Sequence, residues 1–354
     1  MDDTQWEFLE TLLETPSPSG YETRGQRVWV EYVEQFADEV RTDAYGNAVA
    51  VYEGADDGPE VAFTGHVDEI GFVVNRIDDD GFVHLGPIGT PDRAVSKGQH
   101  VTVHTGDGPV PGVVTQTAIH VRDEDGDPVD DIVDQTVDVG AVDGEAAREV
   151  VEVGDPITFS STVERLMGTR VAGRGIDNRV GTWAAAEGLR LASEADVDAT
   201  VYAISTVQEE LGAQGAKMVS SEFDPDAVVV VDVTHTSDYP GGVAKRAGDV
   251  ELGGGPVVGR GSANHPVVAQ AVRKAAADSD IDVQLQAAGR GTGTDALSFY
   301  TARGGTPTLN VSVPNRYMHT PVEVVDTDDL VALARLLAAF AGQADEYDSF
   351  GVDV

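Results

Sequence analysis

The pattern of apolar segments changes twice along the chain of 354 residues, and this change strongly constrains the fold. Up to about residue 70 and again after residue 164, apolar strand-like segments alternate with amphipathic helix-like segments. Between residues 71 and 164, short β-like segments alternate with Gly, Asp and Pro turns, and no long amphipathic helix intervenes. The pattern predicts an α/β domain made of residues 1–70 and 165–354, interrupted by a small β-barrel-like domain at 71–164.

The segments on either side of the insert supply the elements of the predicted α/β domain. Apolar residues at helical spacing predict helices over 5–15, 23–37, 177–195, 265–278 and 327–347. Apolar β-like segments predict strands over 47–53, 60–66, 200–208, 227–234 and 306–313. Because strands and amphipathic helices alternate, we expect a mixed or parallel sheet that is covered by helices on both faces.

The chain is strongly acidic, with 62 Asp and Glu against 23 Lys and Arg, a formal net charge of -39 and a pI near 4.2. The hydrophobic fraction of 41% and the nearly continuous apolar periodicity exclude a disordered chain. An acidic surface of this kind suits a very salty cytoplasm, because salt screens the self-repulsion of the surface. We therefore expect a halophilic protein, and the same charge disfavours nucleic acid as a partner.

The chain contains no cysteine, which excludes disulfides and thiolate metal ligands. The N-terminal segment lacks the basic and long apolar parts of a signal peptide, and no stretch reaches the ~20 apolar residues of a membrane span. The acidic segment 122–134 lacks the spacing of a calcium-binding EF-hand and is expected to be a solvated loop. These observations predict a soluble, cytoplasmic protein with no membrane partner.

Residues of metal-ligand type lie mostly at or just after the ends of the apolar β-like segments. They are His66, Asp68, Asp177, Glu209, Glu210, Asp232 and His319. Histidine and carboxylate side chains that converge at strand ends are how α/β enzymes hold divalent metals and activate water. A single strand-end Asp or His is more often a cap or turn residue, but all seven in this order favour a metal site.

Two of these positions have a structural explanation at least as good as the functional one. Asp68 follows His66 by two residues, so its carboxylate can accept the second N–H of a ligating imidazole, but the two could equally be a capping pair. Asp177 begins a predicted helix, where Asp is a preferred N-cap, and its carboxylate could also bridge two metal ions. Taken alone, the cap is favoured for Asp177, although both roles can hold together.

The remaining candidates follow apolar strands. Glu209 and Glu210 are adjacent, so their side chains diverge, and Glu209 can act as a general base while Glu210 binds metal. A surface acidic pair is the alternative, and the apolar strand before the pair makes it less favoured. Asp232 could instead accept a turn hydrogen bond, His319 could be a plain loop residue, and His235 is expected to support the site or to be structural. Surface or core positions are expected for His84, His100, His104, His120 and His265.

The motifs HVDEIGF, GIDNRVG, QEELGAQGA, DVTHTSD, GTGTDA and RYMHTPVEV follow one another in this order. With these motifs, essentially the whole chain resembles the tetrahedral (TET) aminopeptidase family of dinuclear metallopeptidases, which includes glutamyl and deblocking aminopeptidases and relatives labelled cellulases. The resemblance implies a zinc-peptidase-like catalytic domain. It also implies that one metal is bound by His66, Asp177 and Asp232, and the other by Asp177, Glu210 and His319.

The resemblance further implies the roles of the other site residues and the activity. Glu209 would be the catalytic base and Asp68 would support His66, while Asn178, where a second Asp is expected, is a minor departure. The implied enzyme removes N-terminal residues from short peptides inside a hollow tetrahedral dodecamer, with subunit contacts through the insert at 71–164. Two divalent ions per subunit are expected; His and carboxylate ligands suit zinc or cobalt, and manganese is also compatible.

Two related hydrolases and a non-enzymatic scaffold are the alternatives to this function, whereas glycoside hydrolysis is rejected. An N-acyl amino acid hydrolase or a carboxypeptidase of related fold would use a similar site, but the string QEELGAQGA favours the aminopeptidase. Glycoside hydrolysis needs two carboxyls on opposite sides of a sugar bond, which the adjacent Glu209 and Glu210 can hardly provide. A non-enzymatic metal-binding scaffold would not need a base beside the ligands. Since the loops 234–240 and 291–296 contain no Lys or Arg, a neutral or apolar N-terminal residue is favoured.

Overall fold

The computed structural model describes all residues of the chain except 123–128, 243 and 245–247. Residues 123–128 of the acidic segment 122–134, which is expected to be a solvated loop, therefore lie outside the described residues. Within the described residues, no helix is both long and apolar enough to cross a membrane.

The elements follow one another along the chain much as the apolar pattern predicts. The helices are α1 (Asp3–Glu14), α2 (Thr23–Val33), α3 (Gly144–Arg148), α4 (Ile176–Glu194), α5 (Gln214–Glu222), α6 (Pro266–Asp278), α7 (Ala296–Thr301) and α8 (Thr327–Ala341). The strands before the α4 helix are β1 (Glu39–Thr42), β2 (Ala48–Tyr52), β3 (Glu60–His66), β4 (Gly71–Ile77), β5 (Val83–Ile88), β6 (His100–Thr105), β7 (Gly108–Val114), β8 (Thr136–Asp138), β9 (Pro156–Phe159), β10 (Glu164–Arg165) and β11 (Arg170–Gly173). The later strands are β12 (Thr200–Thr206), β13 (Ala227–His235), β14 (Val257–Arg260), β15 (Gln284–Ala287), β16 (Thr308–Asn315) and β17 (Glu323–Asp326).

The main sheet has eight strands in the order β1-β2-β12-β3-β13-β16-β14-β15. Its four central strands β12, β3, β13 and β16 run parallel to one another, while β2 and β14 pair with this group in the antiparallel direction. The predicted mixed sheet is therefore confirmed. Because the carboxyl ends of parallel strands meet at one edge of a sheet, the residues that follow β3, β12, β13 and β16 are brought together there.

Helices cover both faces of this sheet, as the alternating side-chain directions of its strands require. In β13, Val229 and Val231 pack with the helices α1, α2, α4, α6 and α8 in the largest core. Val228 and Val230, which point to the other face, pack in a separate core with residues of α5 and α7. The continuous valine run of β13 is thus buried on both faces, which is typical of a central parallel strand.

A second body of β structure is a closed barrel with the strand order β4-β5-β8-β7-β6-β9. It has its own apolar core, in which Phe72, Leu85 and Ile157 are fully buried. The predicted barrel-like fold of this region is therefore confirmed. The division into a catalytic domain at 1–70 and 165–354 and an inserted oligomerisation domain at 71–164 stays a prediction.

A small three-stranded sheet, β10-β11-β17, was not expected from the sequence because its strands are only two to four residues long. It pairs Gly173 with Glu323. This pairing brings the residues just before α4 next to the residues that follow the His319 loop. The candidate ligands Asp177 and His319 lie a few residues from these two paired segments.

Candidate active site

The structure brings all seven candidate residues to the carboxyl edge of the parallel strands. His66 is the last residue of β3, and it pairs in register with Thr206, the last residue of β12. Glu209 and Glu210 follow β12 by three and four residues, and Asp232 lies within β13 beside β3. Asp177 and His319 come from the start of α4 and from the loop after β16. The parallel pairing of the central strands is therefore what assembles this cluster.

Three of these side chains form a first group that could hold a cation. The ligand atoms of His66, Asp177 and Asp232 all lie within 4.8 Å of one another, and all three residues are buried. Nε2 of His66 is 3.4 Å from Oδ1 of Asp177 and 4.0 Å from Oδ1 of Asp232. One nitrogen and two carboxylate oxygens at these separations match the ligand types and spacing of a divalent metal site.

A second group shares Asp177 with the first. The ligand atoms of Asp177, Glu210 and His319 also lie within 4.8 Å of one another. Nε2 of His319 is 3.3 Å from Oδ2 of Asp177 and 3.5 Å from Oε1 of Glu210. Since the first group uses Oδ1 of Asp177, the two oxygens of one carboxylate face two neighbouring sites. That geometry fits a carboxylate that bridges two cations.

The alternative role of Asp177 as a helix cap is wrong. The residue that precedes α4 is Gly175, in the left-handed conformation with φ of 58°, and Asp177 itself has non-helical backbone angles. The capping hydrogen bond comes from Asn178, whose Oδ1 accepts from the backbone N–H of Gly181 at 3.1 Å. Because the amide of Asn178 caps the helix, the carboxylate of Asp177 is free to face the two histidines.

Asp68 contacts more of the site than its predicted partner alone. Its Oδ1 lies 3.3 Å from Nδ1 of His66. Its two oxygens also accept hydrogen bonds from the backbone N–H groups of Glu209 at 2.9 Å and Glu210 at 3.1 Å, and from the hydroxyl of Ser19 at 2.6 Å. Burial alone would raise the pKa of Asp68, but His66 and these donors lower it. Asp68 therefore joins the strand end of His66 to the loop of the two glutamates.

Glu209 and Glu210 point to different places, as expected for adjacent residues. Glu210 belongs to the second group, whereas Oε2 of Glu209 lies 3.8 Å from Nε2 of His66 and belongs to neither group. Burial among other carboxylates raises the pKa of Glu209 to about 8 and that of Glu210 to about 7. Nearby cations would reverse this shift, because they favour the ionised form of each carboxyl.

The pKa values of the two histidines of the site, His66 and His319, are raised as well. Burial lowers the pKa of His319, but its contact with Asp177 and the charge of Glu210 outweigh burial and raise the pKa to about 10. Contacts with Asp177 and Asp68 likewise raise the pKa of His66 well above its usual value against the effect of burial. The cluster therefore holds excess negative charge that attracts positive charge, which is the condition that divalent cations would satisfy.

The sequence model of the M42 glutamyl aminopeptidase family matches residues 46–336 of this chain. The chain belongs to this family. It is 35% identical to a lysyl aminopeptidase of Pyrococcus furiosus over 349 residues, which covers 94% of this chain and 96% of that protein. The M42 chain is therefore a metal-dependent aminopeptidase, a hydrolase that acts on peptide bonds, and the resemblance to the TET aminopeptidases is confirmed.

Two solved structures illustrate the same likeness in three dimensions. A TET aminopeptidase from the archaeon Thaumarchaeota archaeon SCGC AB-539-E09 superposes with a TM-score of 0.91 at 30% identity and covers 97% of both chains. The TET1 peptidase of Pyrococcus horikoshii, which can assemble into a tetrahedron or a large octahedral shell, superposes with a TM-score of 0.85 at 30% identity. That alignment covers 95% of this chain and 99% of the other.

Two buried carboxylates of this M42 aminopeptidase escaped the sequence analysis. Glu323 accepts the backbone N–H of His319 at 2.8 Å and that of Asp177 at 3.0 Å. Glu22 accepts the backbone N–H of Gln208 at 3.1 Å, and burial raises its pKa to about 7. The position of an acid between two valines, Val322 and Val324, at the start of β17 was a signal for Glu323. Nothing in the local sequence distinguishes Glu22 from the many surface acids of this chain.

The histidines outside the predicted ligand groups lie elsewhere. His235, at the end of β13, is exposed and belongs to neither ligand group. His84 contacts Asp78 at 3.0 Å in the barrel, and His104 contacts the hydroxyl of Thr158 at 2.9 Å. These contacts are structural, as expected for His84 and His104.

A cavity of about 630 Å³ adjoins the site of the M42 aminopeptidase at Glu209. Small and hydroxyl-bearing residues make up most of its wall: Gly212, Ala213, Ser220, Ser221, Gly291, Thr292, Gly293, Thr294, Ser298, Thr301 and Ala302. Two cationic side chains also line it, Lys217 from α5 and Arg303 from the segment after α7. Each donates to a backbone carbonyl, at 2.6 Å to Gly212 and 2.6 Å to Ser221 respectively.

Proposed function

We propose that this aminopeptidase removes N-terminal residues from short peptides by using two divalent cations, one held by His66, Asp177 and Asp232 and the other by Asp177, Glu210 and His319. The observation that carries the proposal is the placement of the two oxygens of Asp177, 3.4 Å from His66 and 3.3 Å from His319. The donor set of imidazole nitrogens and carboxylate oxygens suits zinc or cobalt first, and manganese as well.

Two bound cations would supply the Lewis acidity that polarises the scissile carbonyl and lowers the pKa of the attacking water. Glu209 then acts as the general base, because it stands beside the ligand groups without belonging to either. It takes the proton of the water and passes it to the leaving amine nitrogen. Asp68 keeps Glu209 in place through the 2.9 Å hydrogen bond to its backbone N–H.

A direct test of this proposal combines metal counting with a pair of peptides. The metal-depleted protein should bind two divalent ions per subunit in a calorimetric titration. The loaded protein should cleave a peptide with a free N-terminus and leave its N-acetylated counterpart intact. Cleavage of the acetylated peptide, or release of residues from the C-terminus, would favour the N-acyl hydrolase or carboxypeptidase alternative. Binding of fewer than two ions would contradict the two-metal site.

We also propose that the cavity beside Glu209 accepts the side chain of the N-terminal residue and prefers an acidic one. Within the described part of the chain, neither Lys217 nor Arg303 forms an ion pair with a carboxylate, although the chain carries 62 acidic residues. A glutamate or aspartate side chain could therefore satisfy both cations in the cavity. The expectation of a neutral or apolar residue rested on two loops, whereas these cations come from other elements.

The preference can be tested with aminoacyl nitroanilides that differ only in the N-terminal residue. The glutamyl substrate should show a higher kcat/KM than the leucyl and lysyl substrates. Lys217→Met should lower kcat/KM for the glutamyl substrate by about 10- to 100-fold, because a hydrogen bond to a charged group contributes about 1.5–3 kcal/mol. Lys274→Met is the matched control, since Lys274 pairs with Asp278 on α6 outside the cavity. Equal losses for the leucyl and glutamyl substrates would contradict the proposal.

We further propose a large homo-oligomer, a tetrahedral dodecamer, with the barrel region 71–164 taking part in subunit contacts. The support is the likeness to the TET1 peptidase of Pyrococcus horikoshii, which can form a tetrahedron. Inside such a shell, peptides would reach the site and folded proteins would be excluded. Light scattering in high salt should show a particle of about twelve subunits, and a clean monomer or dimer would contradict this assembly.

A further inference from the structure

The segment that follows β5, Gly89–Asp92, leaves the barrel and contacts the loop of His319. The carbonyl oxygen of Thr90 lies 2.9 Å from Nδ1 of His319, and the hydroxyl of Thr90 lies 2.8 Å from the same nitrogen. The backbone N–H of Asp92 donates to the carbonyl of His319 at 3.2 Å. Both the ring and the backbone of His319 are therefore held by a segment of the barrel.

The same segment packs against the second candidate ligand of this group. Gly89 has a φ of +63°, and a Cβ added there would lie 2.9 Å from Oε2 and 3.2 Å from Cβ of Glu210. It would also lie 2.8 Å from Cγ2 of Ile70. Because only a glycine leaves this space open, the backbone of the barrel segment forms the wall against which the Glu210 side chain rests.

The residues just after this segment are anchored inside the barrel. The buried amide of Gln135, which precedes β8, accepts from the hydroxyl of Ser96 at 2.6 Å and donates to the carbonyl of Arg93 at 3.0 Å. The carbonyl of Gln135 in turn accepts from the backbone N–H of Leu85 in β5 at 3.2 Å. The segment is thus fixed to the barrel at its far end and to His319 and Glu210 at its near end.

We propose that the barrel segment Gly89–Asp92 positions His319 and Glu210, so that the second cation site is completed by the barrel and not by the α/β domain alone. This inference rests on the proposed function, in which these two side chains bind a cation. It assigns the barrel a part in the metal site in addition to its proposed part in subunit contacts. Thr90 acts through His319 and Gly89 acts through Glu210, so both are positioning residues.

The chemistry of the imidazole gives the reason. A carbonyl oxygen can only accept a hydrogen bond, so the contact with Thr90 keeps the proton on Nδ1 and leaves Nε2 to face Asp177 and Glu210. Outer partners of this kind fix the tautomer and ring orientation of a metal-binding histidine, and their loss weakens metal binding by about 10- to 100-fold. In the first group, His66 is held by Asp68 instead, so the barrel segment should affect one site and not the other.

The test compares two glycines that differ in what surrounds them. Gly89→Ala introduces a methyl group against Glu210, whereas Gly98→Ala, at a φ of +76°, meets only Cβ of Gln116 at 4.0 Å. Both changes carry a similar backbone strain, so the comparison isolates the close contacts around residue 89, and Glu210 is the one of these neighbours that belongs to a ligand group. Calorimetric titration of the metal-depleted proteins with Co²⁺, together with the visible absorption of bound Co²⁺, reports each site without any assay of turnover.

The wild type should bind Co²⁺ in two steps. We expect Gly89→Ala to weaken only one of these two steps by about 10- to 100-fold. Gly98→Ala should bind both ions like the wild type. Equal behaviour of the two variants, or equal weakening of both steps in Gly89→Ala, would overturn the proposal. If the wild type itself bound only one ion, the proposed two-metal function would fail. Two normal steps in the wild type and in Gly89→Ala would refute this inference alone.

A second variant keeps the test decisive if Gly89→Ala does not fold. Thr90 is exposed, so Thr90→Val should leave the barrel intact while removing one of the two oxygens beside Nδ1 of His319. One Co²⁺ step should weaken by about 10-fold, at the lower end of the range for outer partners of metal ligands, and Thr90→Ser should restore it. If Thr90→Val binds both Co²⁺ ions as tightly as the wild type, the hydroxyl of Thr90 does not position His319, and the proposal is contradicted.

Discussion

The carboxylate of Glu323 accepts the backbone N–H of Asp177 at 3.0 Å. Its other oxygen accepts the backbone N–H of His319 at 2.8 Å. One fully buried side chain of β17 therefore fixes the backbone positions of two candidate metal ligands that lie far apart in the sequence. Glu323 touches neither Nε2 of His319 nor the carboxylate of Asp177 in these contacts, so its effect on the site is one of position.

Replacing Glu323 should weaken both proposed cation sites, because Glu323 fixes the backbone of Asp177, which both ligand groups share. In Glu323→Gln, the amide keeps one acceptor oxygen and turns an NH2 group towards a second backbone donor, which leaves a buried N–H without a partner. The free energy of unfolding should fall by about 1–3 kcal/mol, and both metal-binding steps should weaken. Chemical denaturation and calorimetry measure the two effects, with Glu251→Gln at an exposed position as the control. Unchanged metal binding would contradict this role.

Replacing the proposed base should separate chemistry from metal binding. Glu209→Gln should keep both metal ions and the fold but lower kcat by about 10²–10⁴-fold, because only proton transfer is lost. Metal analysis and steady-state kinetics check the two parts. Glu222→Gln, on the exposed side of α5, should behave like the wild type. A Glu209→Gln enzyme with normal turnover would show that another group takes the proton.

Replacing Asp177 and replacing the adjacent Asn178 should have different effects on metal binding and stability. Asp177→Asn should lose metal and activity together, because the amide replaces a carboxylate that faces both histidines. Asn178→Ala should keep the carboxylate of Asp177 and lose the cap of α4, which costs about 1 kcal/mol of stability. Metal content and thermal unfolding of the two variants give the comparison. Retention of two metals by Asp177→Asn would contradict the bridging role.

Metal removal should make stability depend on pH in a defined direction. The raised pKa values of His319, about 10, Glu209, about 8, and Glu210, about 7, mean that the folded metal-free protein binds these protons more tightly than the unfolded chain. The stability from these groups is therefore present at low pH and is lost as the pH rises through their folded pKa values. Asp177, with its lowered pKa, acts in the opposite sense only in acid.

Divalent cations displace those protons, so their stabilising effect should grow with pH. The increase in Tm on adding metal should be larger at about pH 8 than at about pH 6, since fewer protons must then be released. Differential scanning calorimetry of the metal-free and the metal-loaded protein at the two pH values measures these Tm values. If the metal-induced increase in Tm is the same or smaller at the higher pH, metal binding does not displace protons from these side chains, and the prediction is wrong.

Salt should control the assembly. The net charge of -39 per chain makes neighbouring subunits repel one another. The screening length is about 10 Å at 0.1 M salt and about 3 Å at 1 M, so dilution restores the repulsion at the subunit contacts. We expect the particle to dissociate and activity to fall when potassium chloride is diluted from about 1 M to about 0.1 M. Sizing and assay at both concentrations check this, and an intact, active particle at low salt would exclude a halophilic assembly.

Much of the architecture could be predicted because it follows from local periodicity. The alternation of apolar strands and amphipathic helices predicted the covered mixed sheet, and the short β segments between residues 71 and 164 predicted a barrel. The helix α5 was missed because it begins in the glycine-rich segment LGAQGA, where propensity argues against a helix. The three-stranded sheet was missed because strands of two to four residues leave too short a pattern.

The sequence by itself determined which side chains could serve chemistry, because ligand-type residues follow strands that a parallel sheet brings to one edge. Only the tertiary structure decided how they are supported. Asn178, and not Asp177, caps α4. Glu323 and Thr90 contact His319 from segments that are distant in the sequence. Lys217 and Arg303 line the same cavity, although they belong to two separate elements. These relationships depend on long-range packing, so no local pattern of residue types records them.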